Sequence, residues 1–154
     1  MTHALLFHLL SFLIIAGGAI GSLTVYFALR RAVQSAPAQL PGLVSMVPRF
    51  GLMAQVGVLL MILSGVGLMS SRGWGDWGQN WLTIKLLLVV LLSLNGQLVG
   101  KPLGKTMGKA LATNPGPPSS IPEVNDSIGK LGLFYWVQIP GLLLIIGLAV
   151  LGPR

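Results

Sequence analysis

Two polar residues lie inside apolar segments and could carry chemistry, His8 and Lys85. His8 lies about one helical turn into the first apolar run, and Lys85 lies about one turn into the third. Both runs start on the same side of the membrane in the topology below, so we expect the two side chains at a similar depth. A neutral imidazole can serve as an axial ligand of haem iron, and an ammonium group could hold a porphyrin propionate. The pair indicates a candidate haem b site, with His8 as the metal ligand.

Each of the two residues also has a structural interpretation. His8 could form a hydrogen bond to a neighbouring helix, and the long stem of Lys85 could extend its charge to the lipid headgroups. A lysine at the bilayer centre costs roughly 2.5–3.5 kcal/mol, and less near the end of a span. For an isolated membrane histidine the sequence favours the structural interpretation.

A second group of polar residues lies in the opposite half of the apolar runs. Each is within about two turns of the end of its run, and all four runs contribute: Tyr26, Gln55, Asn95, Gln97 and Gln138. Hydrogen bonds between membrane helices contribute about 0.6 kcal/mol on average. The pattern predicts an interhelical hydrogen-bond layer, with a polar pathway as the alternative.

The elements that must position these residues are four apolar runs, covering residues 4–29, 50–69, 81–100 and 131–151. About 20 helical residues are needed to cross a ~30 Å hydrocarbon core, so each run qualifies. The chain of 154 residues is 53% hydrophobic and 8% charged, with a mean hydropathy of +0.82. Soluble domains contain about 25% charged residues. The sequence therefore predicts one all-α integral membrane domain, a four-helix bundle, and excludes a soluble fold.

The distribution of basic residues predicts the orientation of the bundle. The first and third loops carry seven basic residues: Arg30, Arg31, Arg49, Lys101, Lys105, Lys109 and Lys130. The second loop and the C-terminal tail have only Arg72 and Arg154. By the positive-inside rule, loops one and three are cytoplasmic and both termini lie outside, in a cell inner (cytoplasmic) membrane. Because the net charge of +7 is spread over the ends of apolar runs, it predicts lipid headgroup contacts and no nucleic-acid partner.

The third loop combines a basic stripe with a proline-rich segment. Lys101, Lys105 and Lys109 recur every four residues, so a continued helix would present them on one face to anionic lipid headgroups. The segment that follows includes the run N-P-G-P-P-S-S, which predicts a flexible cytoplasmic loop over about residues 110–126. The first loop, residues 35–48, contains three prolines and predicts a bend or a short interfacial piece.

Small and aromatic residues add two further expectations. Gly17 and Gly21 form a G-x-x-x-G pair on the first helix, which predicts close packing of helices within the bundle. In the second loop, Trp74, Trp77 and Trp81 suit the headgroup region on the outer side.

Several short motifs within residues 1–105 resemble those of a superfamily of small four-helix bacterial membrane proteins. They are His8 with Gly17-Gly18, Arg49, Ser64-Gly65 and Trp81-Leu82-Thr83-Ile84-Lys85. The superfamily includes the CopD-like copper-resistance domain, the HemJ-type protoporphyrinogen oxidases and an uncharacterised family (DUF2269), to which the chain is most similar. The resemblance implies a haem-type site at His8 and Lys85. Several relatives have another histidine late in the third helix, where this chain has Ser93-Leu94-Asn95-Gly96-Gln97, so a two-histidine site is not implied.

Three functions stay open on the sequence. The leading one is a non-enzymatic accessory or structural subunit of a larger membrane complex, such as a respiratory or photosynthetic one, with other subunits or a second copy as partner. The second is a haem-binding redox protein or oxidase that uses His8. The third, a copper-handling or transport protein, is disfavoured because the apolar runs contain no carboxylate and the methionines form no cluster of soft ligands.

Overall fold

The computed structural model describes residues 2–72, 80–114 and 116–151, and every regular element in them is helical. The α-helices are α1 Thr2–Ser35, α2 Leu40–Arg72, α3 Asn80–Asn95, α4 Lys101–Thr113 and α5 Pro122–Leu151. A π-helical segment, Gly96–Gly100, joins α3 to α4, and short 3-10 turns, Pro37–Gln39 and Pro118–Ser120, precede α2 and α5. The all-α prediction is confirmed. The expected outer tryptophans Trp74 and Trp77, and the side chain of Trp81, lie outside the described residues.

Four helices are long and apolar enough to cross a membrane, as predicted. They are α1, α2, α5 and the continuous helix formed by α3, the π-helical segment and α4. With 34 residues, α1 is about 51 Å long at 1.5 Å per residue, whereas a hydrocarbon core is ~30 Å thick. The helices therefore extend well beyond the length that a bilayer requires.

The parts of the helices that exceed this length meet at one end of the bundle, which we call the basic end. It contains the α1–α2 and α4–α5 connections and the residues Arg30, Arg31, Arg49, Lys101, Lys105, Lys109 and Lys130. The opposite end contains the start of α1 and the end of α5.

Two segments that we predicted as loops are mostly helical at the basic end. In the first, the bend is limited to Ala36 and the following 3-10 turn, and α2 continues through Pro48. In the second, expected as a flexible loop over residues 110–126, α4 continues to Thr113 and α5 already begins at Pro122. Proline is compatible with the first turn of a helix, which lets α5 begin there.

A hydrophobic core explains why these segments are ordered as helices. It consists of buried residues from α1, α2, α4, α5 and the turn before α5: Val25, Leu29, Ala32, Val33, Leu40, Val44, Met107, Ala110, Ile121, Val124, Leu131 and Tyr135. The side chains of Leu29, Leu40 and Met107 are fully buried. We call this group the basic-end core. It ties the start of α5 and the end of α4 to the α1–α2 hairpin.

Within the membrane-spanning part, glycines hold α1 against α2. A Cβ atom on Gly18 would lie 3.1 Å from the backbone nitrogen of Ala54, and one on Gly57 would lie 2.7 Å from Cγ1 of Ile15. A Cβ on Gly21 would overlap the ring of Phe50. Because small residues let the helix backbones approach closely, α1 and α2 form a closely packed hairpin. The predicted role of the Gly17–Gly21 pair within the bundle is confirmed.

The remaining helix contacts are uneven. The most extensive contact is between α1 and α2, and α5 contacts α1, α3 and α4. At the basic end α2 packs against α4, but further along it barely touches α3. The bundle is therefore closed at the basic end and separated between α2 and α3.

Candidate functional site

The separation between α2 and α3 creates a cavity of about 670 Å³, which we call the central cleft. All four membrane-spanning helices contribute to its wall. On α2 the lining residues include Gly51, Gln55 and Val58, at the three- and four-residue spacing that places side chains on one helix face. On α3 and the π-helical segment, Ser93 and Gln97 face them across the cleft.

The cleft runs along the helices toward the basic end. On the third membrane-spanning helix its lining extends from Val89 to Lys105, a rise of about 24 Å. Gly51 and Gly96 line opposite walls, and apart from each glycine's own stretch of helix no described atom lies within 4 Å of the position that a Cβ would take on either residue. The two helices are therefore not packed together at these positions.

The cleft is also open sideways. Leu52 and Leu59 of α2 line it and are 62% and 58% exposed. Across the opening, Val90 and Leu94 of α3 line it as well and are about half exposed. In a bilayer such exposed apolar side chains contact lipid, so the central cleft is accessible from the hydrocarbon region.

The predicted polar layer is divided between the cleft and its surroundings. Gln55, Gln97 and Gln138 line the cleft. Asn95 donates a hydrogen bond from Nδ2 to Oε1 of Gln138, at 3.3 Å, which joins α3 to α5. Tyr26 packs instead against the ring of Tyr135, with ring centroids 5.2 Å apart. The structure thus brings three amides to one cavity and leaves Tyr26 in an aromatic contact beside it.

One polar pair in the wall of the cleft was missed by the sequence analysis. Tyr135 donates its hydroxyl proton to the carbonyl oxygen of Ser22, at 3.0 Å. Because the phenol has no second proton, the short hydrogen bond between the two hydroxyls is donated by Ser22. The sequence contained a signal for this pair. Ser22 is four residues from Tyr26, and Tyr135 is three residues from Gln138, so each lies on the same helix face as a residue of the predicted polar layer.

The predicted basic stripe is also divided. Lys101 and Lys105 line the central cleft where it reaches the basic end, whereas Lys109, one turn further along α4, does not line it. All three lysines are exposed. Among the described lining residues none is acidic. The charge at this end of the cleft is therefore positive.

His8 lies outside the cleft, in contact with α2. Its Nδ1 is 3.0 Å from Oγ of Ser64, and the Ser64 hydroxyl is 2.8 Å from the carbonyl oxygen of Leu60. The single hydroxyl proton is donated to that carbonyl, so we assign Nδ1 of His8 as the donor to Ser64. In this tautomer Nε2 has no proton and is the nitrogen that could ligate a metal. The ring also packs against α2 at Gly65, where a Cβ would lie in ordinary contact with Cε1 of His8, at 3.7 Å.

Lys85 lies close enough to His8 for their side chains to interact electrostatically. Neither residue lines the central cleft, and in the described part of the chain α1 and α3 are not among the helices that pack against each other. The hydrogen bond to Ser64 is the interhelical partner that the structural interpretation of His8 expects. His3, on the same helix, is exposed, and the described residues include no group of three side chains suited to hold a metal ion.

Comparison of the chain with family models, with curated proteins and with solved structures found no match. The resemblance to CopD-like and HemJ-type proteins stays a prediction. Function is therefore inferred from the geometry of the central cleft and of the His8 site.

Proposed function

We propose that the protein is a non-enzymatic accessory subunit of a larger membrane complex and holds an apolar or amphiphilic molecule in the central cleft. The observation that carries this proposal is the cleft itself. Its volume of about 670 Å³ lies within the ~300–1,000 Å³ range of small-molecule sites. By the positive-inside rule, the proposal places the basic end in the cytoplasm and both termini outside.

The polar groups of the cleft support binding over catalysis. Gln55, Gln97 and Gln138 are neutral amides, which donate and accept hydrogen bonds but do not exchange protons near neutral pH. General acid–base catalysis needs a group whose pKa lies near the working pH. Amides at one depth in an apolar wall can instead orient a bound molecule.

The shape of the cleft supports retention of a ligand over transport. Toward the basic end, the cleft reaches the exposed residues Lys101 and Lys105. In the other direction its lining stops at Ile62 of α2 and Val89 of α3, well short of the opposite ends of these helices. The open side lies between α2 and α3, facing lipid. A molecule can therefore enter from the bilayer, while the cleft does not extend along the full length of α2 and α3.

Filling the cleft from both walls tests the proposal. Gly51→Trp with Gly96→Trp adds two indoles to the open space, while Gly42→Trp with Gly129→Trp is the matched control. The control glycines also face open space, but they do not line the cleft. Each protein is purified in mild detergent, and its bound lipids and other apolar molecules are extracted and quantified by mass spectrometry.

We expect the original chain and the control to retain a bound molecule at near one per chain, and the cleft-filled variant to lose it. Equal retention by the cleft-filled variant would contradict the proposal. The proposal would also be contradicted if none of the three proteins retained such a molecule.

A second candidate, haem binding at His8, is favoured by one observation. Ser64 orients the imidazole through Nδ1, and a hydrogen bond of this kind at one ring nitrogen is typical of histidines that ligate metals through the other. Lys85 of α3 is near enough for its charge to act on the imidazole and could hold a propionate. Protein from haem-replete cells should then show a Soret band that His8→Ala removes and His3→Ala keeps. A folded, colourless protein would eliminate this candidate.

A further inference from the structure

The lining of the central cleft changes in polarity along its length. Lys101 and Lys105 stand at the basic end, and Gln97 follows one turn further into the bundle. Beyond the amides the lining is apolar except for Ser93, whose hydroxyl donates to the carbonyl oxygen of Val89 within α3, and Ile62 of α2 and Val89 line the deepest part. The order of charged, hydrogen-bonding and apolar groups matches the order of headgroup, ester and acyl chains in a membrane lipid.

The dimensions match one leaflet of a bilayer. From Lys101 to Val89 the helix rises about 18 Å, and half of a ~30 Å hydrocarbon core is ~15 Å. The open side between Leu52 and Leu94 faces the same leaflet. A lipid of the leaflet at the basic end can enter sideways and keep its orientation.

The charge of the cleft selects the class of lipid. Two lysines line its basic end, and none of the described residues around it is acidic. We propose that the central cleft binds an acidic phospholipid, with the anionic headgroup at Lys101 and Lys105 and acyl chains between α2 and α3. This inference rests on the proposed function, since it names the molecule that the cleft holds.

Lys109 provides a matched control for the test, because it belongs to the same basic stripe but does not line the cleft. The protein and its variants are placed in mixed micelles with equal amounts of phosphatidylglycerol and phosphatidylcholine that have identical acyl chains. Native mass spectrometry then measures how much of each lipid stays bound. Each lysine near an anionic headgroup contributes about fivefold in affinity, so two contribute about 30-fold.

We expect the original chain and Lys109→Gln to retain phosphatidylglycerol over phosphatidylcholine, and Lys101→Gln with Lys105→Gln to lose about 30-fold of that preference. A preference unchanged in the double variant would overturn the inference. If the original chain binds both lipids equally, the inference fails while the proposed cleft-binding function stands. If no lipid stays bound to any of the proteins, both fail.

Discussion

The basic-end core and the central cleft are built from the same helices but pack in opposite ways. In the core, Met107 of α4 and Leu40 of α2 are fully buried, as in a water-soluble bundle. In the cleft, Gly51 of α2 and Gly96 directly after α3 line opposite walls, and no described residue of a neighbouring helix packs against either of them. Burying apolar surface away from water is favourable, but helices in lipid lack this driving force. A gap between α2 and α3 can therefore persist in the membrane when lipid fills it.

The α1–α2 contact shows how two helices of this protein pack closely inside the membrane. There Gly18 and Gly57 each face a partner atom at close range on the other helix, so the backbones approach each other. Gly51 lies on the same helix as Gly57, but no described residue fills the space in front of it. Small residues permit close packing, and complementary side chains on the facing helix complete it.

The largest expected effect comes from truncating a buried leucine of the basic-end core. Leu40→Ala should lower the free energy of unfolding by about 2–5 kcal/mol, because it removes apolar contacts and leaves a cavity. Leu133→Ala is the control, since Leu133 is 68% exposed, and its effect should be below about 1 kcal/mol. Unfolding in mixed micelles measures both. Equal losses would show that the basic end is no better packed than the lipid-facing surface.

A smaller effect is expected from adding one methyl group to two glycines of α2. Gly57→Ala should destabilise by about 1–3 kcal/mol, since its Cβ would lie 2.7 Å from Ile15. Gly51→Ala should be neutral or stabilise by up to ~1 kcal/mol, because alanine favours the helix and meets no neighbour there. The same unfolding assay compares them. Destabilisation of similar size at Gly51 would indicate that α2 and α3 are in contact.

The smallest effect concerns the hydrogen bond that joins α3 to α5 beside the cleft. A double-mutant cycle with Asn95→Ala and Gln138→Ala should give a coupling energy of about 0.6 kcal/mol. Gln55→Ala with Asn95→Ala serves as the reference pair and should show less coupling. A coupling of zero for Asn95 and Gln138 would mean that the two amides act independently.

Hydropathy predicted the number of membrane-spanning helices but not their ends. The segments around Pro41, Pro48 and Pro118 resemble loops locally, because proline lacks a backbone donor. Their helical structure depends on tertiary burial of residues such as Val44 and Ile121, which a linear pattern does not reveal. The four-residue spacing of Lys101, Lys105 and Lys109 was the one local sign that the third helix continues.

The candidate sites were predictable as residues but not as an arrangement. His8 was singled out because an imidazole inside an apolar run is unusual, but its partner Ser64 lies 56 positions away. Likewise, spacing placed three lysines on one helix face, and only the packing of α4 decides that Lys105 lines the cleft while Lys109 does not. The cleft itself depends on a missing contact between two helices, each of which is an ordinary membrane span in sequence.

The separation of α2 from α3 can be measured with spin labels, because the chain has no cysteine and each introduced cysteine is a unique attachment site. In lipid nanodiscs, labels at Gly51→Cys and Gly96→Cys are compared with one at Ala32→Cys in the basic-end core, where Ala32 is 2% exposed. We predict mobile, oxygen-accessible labels at the two cleft positions and an immobilised, poorly accessible label at position 32. Immobilised labels at positions 51 and 96, with strong spin coupling in the doubly labelled chain, would show that α2 and α3 pack together and would contradict the existence of the central cleft.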